Sequence, residues 1–290
     1  MKKFSLSKVV MYSLVTIYSA LCLFPMLLVL MISVTDEDAL LRNGYSFFPE
    51  KFSLYAYKLI FTGGSQVMQS YAISILVTIV GTVLAVLVTS MAGYTLANKN
   101  VKNRNLLALY FFITMIFSAG IVPWYLMNRS LGLTNNILAL IIPSLLFSPF
   151  NLFLVRNFMN GVPDSLRESA TIDGANDITI AFRIYLPLCM PVLATIALFY
   201  GLDYWNNWWN AIMLIDNKEL YPLQFMLLQL QSEISMLNEM TMLAGTSGMT
   251  LPAESVKMAT AIVTIGPIIF LYPYLQKYFV KGLVIGSVKG

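Results

Sequence analysis

Glu168-Ser169-Ala170-Thr171-Ile172-Asp173-Gly174 is a polar stretch, and nine residues after it comes Ile184-Tyr185-Leu186-Pro187. Apolar segments long enough to cross a bilayer lie on both sides of this region. The hydrocarbon core cannot solvate polar side chains and loop backbone, so the stretch must lie outside it. The pattern therefore indicates a helical membrane protein with a structured polar connection that needs a partner.

The composition of the 290-residue chain supports an integral membrane protein. Hydrophobic residues make up 58% and charged residues 11%, and the mean hydropathy is +0.73, which is too apolar for a soluble domain of this size. Because a transmembrane helix needs about 20 apolar residues, the sequence predicts an all-α fold with six transmembrane helices. Their approximate windows are residues 9–34, 69–97, 105–128, 136–156, 186–214 and 258–280.

The distribution of basic residues predicts the orientation of these spans. With the N-terminus in the cytoplasm, Lys and Arg are more frequent in the inside connections than in the outside ones, as the positive-inside rule requires. The loop 98–104 is the clearest case, because it contains Lys99, Lys102 and Arg104 and no acidic residue. We therefore expect a multi-pass protein of the cytoplasmic membrane with both termini in the cytoplasm.

Several functions are disfavoured by what the sequence lacks. It contains no histidine and two cysteines, Cys22 and Cys189, in separate apolar windows. Histidine-based catalysis and a metal site are therefore not expected. No G-x-x-x-x-G-K-[ST] motif occurs, so ATP cannot bind through a P-loop of this chain. The sequence predicts a non-enzyme without a cofactor of its own, and the modest net charge of +4 does not indicate a nucleic-acid partner.

The polar connection is expected to form a helical hairpin over residues 160–187. Ser165 and Glu168 have the spacing of a helix-capping box, and Gly174 allows the chain to turn. A second helical stretch then leads into the next span. The hairpin would have an apolar side that it cannot bury alone, formed by Leu166, Ala170, Ile178 and Phe182. A groove on another protein is the expected partner, although Glu168 read locally could serve only as a helix cap.

The spacing of this region resembles the signature of binding-protein-dependent ABC importer permeases: Glu-Ala-Ala, three residues, Gly, nine residues, Ile-x-Leu-Pro. Ser169 replaces the first alanine. The resemblance implies a type I importer-like permease whose cytoplasmic coupling helix, between spans 4 and 5, meets an ATPase. The residues expected to couple are Glu168, Ser169, Ala170, Asp173, Gly174, Ala175, Ile184, Leu186 and Pro187. It also implies a second permease subunit, two cytoplasmic ATPase subunits that hold ATP and Mg, and an extracellular solute-binding lipoprotein.

Further stretches resemble carbohydrate importers of the maltose-permease type. Two of them are Thr171–Ala175 and the aromatic-asparagine stretch Trp205-Asn206-Asn207-Trp208. Two others, Tyr221-Pro222-Leu223-Gln224 and the ending Lys281–Gly290, look closest to a Gram-positive subgroup associated with oligo- and polysaccharide uptake. Aromatic faces pack against sugars and amides hydrogen-bond hydroxyls. The predicted sugar path contains Asp203, Trp205, Asn206, Asn207, Trp208, Asn210 and Asn151. Membrane-interface anchoring is the alternative for the tryptophans, and an interhelical hydrogen bond is the alternative for Asn151. For Asp203 the alternatives are a structural ion pair and a solvated position near the outer interface.

The sequence predicts three regions. Residues 1–68 hold the N-terminal tail, the first span and an extracellular loop, residues 69–285 form the permease core, and residues 286–290 are a cytoplasmic tail. The core includes an extracellular loop, 215–257, with an amphipathic helix over residues 223–242. Alternatives are an ion-coupled secondary transporter, which intramembrane charges and repeated halves would favour, and a permease of the same family for a non-sugar solute. The sequence does not specify which sugar.

Overall fold

The computed structural model describes residues 6–62, 65–143, 145–243, 252–266 and 269. These residues form two compact units. The first contains the residues up to Val67 and those from Leu227 to 266, and the second contains the residues from Met68 to Met226. The described residues are helical apart from turns, loops and one isolated antiparallel bridge between Thr35 and Phe52. The all-α prediction is therefore confirmed for this part of the chain.

The first unit begins with α1, Leu6–Ser33, a helix of 28 residues that contains Pro25. Two short helices follow, α2 (Glu37–Asn43) and α3 (Tyr55–Thr62). Later in the chain, α14 (Leu223–Leu243) matches the helix predicted over 223–242, and residues 253–266 form a further helix, α15. The expected sixth span, 258–280, lies outside the described residues from 267 onwards except for Ile269, as do the C-terminal stretch 281–290 and the tail 286–290.

The carboxylate of Glu37 caps the first turn of α15. It accepts hydrogen bonds from the backbone amides of Glu254 (2.9 Å) and Ser255 (3.0 Å) and from the Ser255 hydroxyl (2.7 Å). The first amides of a helix have no intrahelical acceptor, and a carboxylate at this end also complements the helix dipole. The Tyr45 hydroxyl donates to the Glu254 carboxylate, and this hydrogen bond raises the pKa of Tyr45 above its ordinary value.

Two described helices have the length and apolar composition to cross a membrane, within Val10–Ser33 and Gln66–Ala97. The second lies in α4 (Ser65–Ala97), whose 33 residues extend about 50 Å at 1.5 Å per residue. Two further candidates are helix pairs with a sharp bend. If each pair forms one span, the described residues contain up to four, so the count of six spans stays a prediction.

The apolar windows 105–128, 136–156 and 186–214 are each divided into shorter helices. The first contains α5 (Arg104–Ile116) and α6 (Ile121–Ser130), which bend by 118°. The second contains α7 (Leu138–Ile141) and α8 (Pro149–Met159). The third contains α11 (Leu186–Leu188), α12 (Met190–Trp205) and α13 (Trp209–Leu214). A hydropathy window detects apolar residues but not the turns between them.

Glycine, proline and a side-chain cap account for several of these breaks. Gly120, just before α6, has a φ of 83°, which favours glycine because other residues are strained there. Helix α8 begins with Pro149 at its first position. A backbone N–H at this position would have no acceptor within the helix, so its absence in proline costs nothing. The Ser148 side chain accepts a hydrogen bond from the Asn151 amide at the same helix start.

Small residues allow the helices of the second unit to pack closely. A Cβ atom on Gly81 of α4 would lie 2.4 Å from the Tyr204 ring of α12, and one on Gly93 would lie 2.6 Å from Val155 of α8. The Tyr204 hydroxyl donates to the Ile141 carbonyl oxygen (2.8 Å). Close approach at small residues is a common basis for helix association in membranes, where apolar burial adds little.

Candidate functional site

The predicted hairpin is formed by two helices and a turn. Helix α9 spans Asp164–Ile172, and α10 spans Asp177–Ile180. Gly174, with φ of 82°, ends α9: the Gly174 amide donates to the Thr171 carbonyl (3.1 Å) and the Ala175 amide to the Ala170 carbonyl (2.9 Å). This is the Schellman pattern, which satisfies the last carbonyls of a helix.

The capping-box prediction at Ser165 is wrong. Helix α9 begins at Asp164, its N-cap residue is Pro163, and no side chain caps it. Ser165 therefore lies within the first turn and its hydroxyl does not cap the helix. Glu168, three residues later, has no capping residue to complete a capping box with. Proline supplies an extended backbone before the helix, and Asp164 supplies negative charge in its first turn, which interacts favourably with the helix dipole. Glu168 is exposed, so its carboxylate is accessible to a partner.

The hairpin presents an apolar surface. No residue of α9 is buried, Leu166 and Phe182 are exposed, and Ile172 and Ile178 expose 86% and 70% of their surface. Ile172 was not predicted as part of this surface. Among the other expected coupling residues, Ser169, Asp173, Gly174 and Pro187 are exposed, and Ala170, Ala175, Ile184 and Leu186 are half-buried. An exposed apolar surface flanked by charges is typical of a protein interaction site.

Polar contacts attach the hairpin to the end of α4 and the loop after it. The Lys99 ammonium forms an ion pair with the Asp164 carboxylate, and the Arg167 guanidinium donates to the Asn98 side-chain oxygen. The Lys99 ammonium also donates a hydrogen bond to the Asp164 carboxylate. This hydrogen bond holds the pKa of Asp164 below its ordinary value. The Tyr94 hydroxyl also donates to the Asp177 carboxylate (3.3 Å).

The residues of this attachment were missed by sequence reasoning. The basic residues of the loop 98–104 predict its side of the membrane, but nothing in the sequence pairs them with the acidic start of the hairpin. Opposite charges in two segments on the same side of a membrane predict contact only when the helices between them place those segments together.

The hairpin joins the next helix through a π-helical turn. Residues Ala181–Tyr185 form this turn, and α11 with Pro187 follows directly. Proline removes one backbone donor and its ring clashes with the carbonyl four residues earlier, which a wider turn relieves. The helices before and after Cys189 then bend by 84°.

The residues of the predicted sugar path do not share one environment. Trp205 is buried, and Asn210 exposes only 2% of its surface while its side chain donates to the Pro143 carbonyl (2.9 Å). The Asn207 side chain accepts from the Asn210 amide (3.0 Å) at the start of α13. These contacts order the segment between α12 and α13. Asn151 is also buried, on α8.

The accessible members of this set are Asp203, Asn206 and Trp208. All three are exposed, although the Asn206 amide donates back to the Leu202 carbonyl (2.8 Å). The Trp208 ring meets the Trp209 ring edge to face, with centroids 5.7 Å apart. Two exposed tryptophans with neighbouring polar groups form a surface that fits either a sugar or a membrane interface.

An open cleft of about 750 Å³ lies beside this segment. Trp209, Trp124, Asn128 and Pro143 line it, together with the turn 118–121 between α5 and α6. Its size is typical of small-molecule sites. Trp124, Trp209 and Asn128 are not among the residues of the predicted sugar path. The described residues contain no group of histidine, cysteine or acidic side chains suited to a metal ion.

Comparison with known proteins identifies the class of protein that this fold and hairpin define. Residues 90–285 match the family described as binding-protein-dependent transport system inner membrane component. Since the match covers more than half of the chain, the chain belongs to this family. It is an inner-membrane transport component, as the hairpin signature predicted.

Relatives that are similar over almost their whole length agree with this assignment. The chain is 39% identical to protein LplC of Bacillus subtilis, over 93% of the chain and 90% of the relative. It is 36% identical to the polygalacturonan/rhamnogalacturonan transport system permease protein YtcP of Bacillus subtilis, over 96% of each. It also resembles the crystal structure of a bacterial ABC transporter involved in the import of the acidic polysaccharide alginate. That match has a TM-score of 0.79 and 30% identity, and it covers 96% of this chain and all of the other.

Proposed function

We propose that this chain is one permease subunit of an ATP-driven importer for an oligo- or polysaccharide. A relative named for polygalacturonan and rhamnogalacturonan transport and a structure named for alginate import support a carbohydrate substrate. In this proposal, a second related permease completes the translocation path, and an extracellular solute-binding lipoprotein delivers the sugar. ATP and Mg bind to two cytoplasmic ATPase subunits, because this sequence contains no P-loop.

The proposed topology has six spans and both termini in the cytoplasm. Helices α1 and α4 would form the first two spans, the bent pair α5–α6 the third, α7 with α8 the fourth and α11 to α13 the fifth. The residues after 257 would contribute the last. The basic loop 98–104 and the hairpin then lie on the cytoplasmic side together. Their ion pair between Lys99 and Asp164 supports this arrangement, because paired residues must lie on the same side of the bilayer.

The observation that carries the proposed mechanism is the exposed apolar surface of the hairpin. When a groove covers exposed apolar side chains such as Ile172 and Ile178, their removal from water stabilises the complex by about 25 cal/mol per Å² of apolar surface. We propose that the ATPase provides this groove and that Glu168 pairs with a basic residue of the ATPase. Closure of the ATPase pair on ATP would then move the hairpin and shift the spans between inward-open and outward-open states.

The attachment to α4 gives the hairpin a second connection to the spans. Besides the backbone through Pro187, force would pass through Asp164, Arg167 and Asp177 to the end of α4. Two attachment points make the hairpin a rigid lever, whereas one would make it a hinge. The sugar path would begin beside the Trp208–Trp209 pair and the neighbouring cleft, with Asp203 and Asn206 as further polar contacts.

Charge reversal at Glu168 tests the coupling step. We expect Glu168→Lys to abolish assembly with the ATPase or sugar-stimulated ATP hydrolysis in the purified importer, while membrane insertion is retained. Glu239→Lys, at an exposed position of α14, is the matched control and should leave stimulation unchanged. Normal stimulated hydrolysis in Glu168→Lys would remove the hairpin from the mechanism.

A transport assay separates this proposal from the rival class. Uptake should require the ATPase and should stop with vanadate. Transport by this chain alone in liposomes, driven by an ion gradient and insensitive to vanadate, would instead establish a secondary transporter. Within the sugar path, Asn206→Ala combined with Trp208→Ala should impair uptake while basal ATP hydrolysis persists, and normal uptake would make these residues interface anchors.

A further inference from the structure

A second open groove, of about 540 Å³, lies along α8 and α5. Its wall is aromatic and apolar, with Phe112, Phe150 and Phe153 as its largest side chains, and its polar residues are Arg156, Asn157 and Asn160. Phe112 and Phe150 are exposed, and the rings of Phe112 and Phe153 meet edge to face. No acidic residue lines the groove. The groove and the cleft at Trp209 share no lining residue.

Arg156 is the unusual member of this groove. Its Nε atom is buried and has no hydrogen-bond partner among the described residues. The ion pairs in the described part of the chain are formed by Lys51 and Lys99, so no described carboxylate neutralises Arg156. A buried donor without an acceptor costs free energy, and such groups in native proteins call for an explanation.

The geometry of a guanidinium indicates what it would bind. Its planar fork of donors matches a carboxylate with two parallel hydrogen bonds, which a lysine cannot reproduce. Ionisable side chains within membrane spans face the bundle interior or a water-filled cavity and are found along substrate pathways. A carboxylate carried by a ligand is a partner that fits this donor set.

The rest of the lining fits a sugar that carries this carboxylate. Phenylalanine rings pack against the apolar face of a pyranose, and the Asn157 and Asn160 amides can donate to and accept from its hydroxyls. Both asparagines are exposed. Aromatic faces, amides and one cation within a single groove match a uronate, a sugar unit with a carboxylate, better than a neutral sugar.

We propose that this groove binds a uronate unit of an acidic oligosaccharide during import and that Arg156 pairs with its carboxylate. The proposal rests on the proposed function and adds to it the substrate class and a recognition residue. Phe150 lies at the start of α8 and Asn160 directly follows its end, so the groove runs along the whole of this helix. A sugar chain could then contact it over successive units.

Binding to the purified importer tests this directly. The complete importer, without its binding protein, is placed in phosphatidylcholine nanodiscs and titrated with trigalacturonate and with its methyl ester, in which the carboxylates are neutral. We expect the wild type to bind the acid more tightly than the ester, with a preference that weakens as salt is added. Arg156→Gln should weaken binding of the acid about tenfold or more and leave binding of the ester unchanged.

Two variants make the result specific. Arg156→Lys keeps the charge but not the fork, so it should retain part of the preference. Arg42→Gln removes an exposed charge from α2 and should change neither affinity. Equal affinity of the wild type for acid and ester, or an equal loss of both in Arg156→Gln, would overturn the proposal. Retention of phosphatidylglycerol that depends on Arg156, without a preference for the acid, would also overturn it by assigning the groove to lipid.

Failure of this inference is distinguishable from failure of the proposed function. If neutral arabinotriose is taken up in an ATP-dependent, vanadate-sensitive way but trigalacturonate binds no more tightly than its ester, only the uronate site is refuted. Absence of ATP-dependent uptake for every sugar tested, with the partners present, would sink both.

Discussion

Substitution of Gly81 by alanine tests the helix packing that holds the predicted sugar path. The new Cβ atom would lie 2.4 to 2.7 Å from three atoms of the Tyr204 ring, closer than nonbonded carbon atoms approach. The ring cannot easily move away because its buried hydroxyl donates to the Ile141 carbonyl. Tyr204 lies between Asp203 and Trp205, so displacing it would also displace the predicted sugar contacts.

The free-energy change can be worked from these contacts. Overpacking of a core typically costs about 1–3 kcal/mol, and weakening of the Tyr204 hydrogen bond adds about 1 kcal/mol. Alanine in place of glycine within a helix offsets this by about 1 kcal/mol. The net expectation is a destabilisation of about 1–3 kcal/mol. Gly201→Ala is the matched control, since its Cβ would have Thr82 at 3.7 Å as its nearest neighbour, and we expect it to be neutral or slightly stabilising.

The measurement is the temperature at which half of the detergent-solubilised protein is lost from its size-exclusion peak. Membrane-protein unfolding is often irreversible, so variants are compared at one heating rate. Gly81→Ala should lower this temperature and Gly201→Ala should not. In a Tyr204→Leu background, which removes the obstructing ring, the cost of Gly81→Ala should disappear. An equal cost in both backgrounds would refute the packing argument.

Three further predictions concern the hairpin and the segment between α12 and α13. Gly174→Ala should destabilise the end of α9 by about 1–2 kcal/mol, because a left-handed backbone strains alanine although the space around it is open, and faster hydrogen exchange at residues 170–175 would report it. Asn210→Ala leaves a buried carbonyl without its donor and should cost about 1–3 kcal/mol in thermal unfolding, whereas Asn206→Ala should cost little because Asn206 is exposed. Lys99→Glu should reduce sugar-stimulated ATP hydrolysis and Lys99→Glu with Asp164→Lys should restore part of it, whereas no recovery in the double variant would contradict the proposed attachment.

The helical class, the family and the hairpin were predictable because each leaves a local signature. Apolar composition predicts membrane helices without knowledge of their packing. The spacing from Glu168 to Pro187 identifies the family. Gly174 was expected to turn the chain, and it does so with a φ that glycine adopts without strain.

The breaks within the apolar windows were not predictable in the same way. The bend after Ile116 depends on how α5 and α6 pack, and hydropathy averages over the turn at Gly120. The capping-box prediction failed because α9 already begins at Asp164, after Pro163, so Ser165 lies inside the helix and cannot be its N-cap residue. Contacts such as Lys99 with Asp164, or Asn210 with the Pro143 carbonyl, join residues distant in sequence, and a single sequence carries no signal that pairs them.

The π-helical turn Ala181–Tyr185 has a consequence for how the hairpin is aimed. Each residue of an α-helix advances about 100° around the axis, and a π-helical turn accommodates one residue more than the α-helical path. The number of residues before Pro187 therefore determines the rotation of the hairpin about the helix axis. Deleting one residue of this turn would rotate the hairpin by about 100° relative to α12. The direction in which Glu168 faces is thus encoded by chain length as well as by side-chain chemistry.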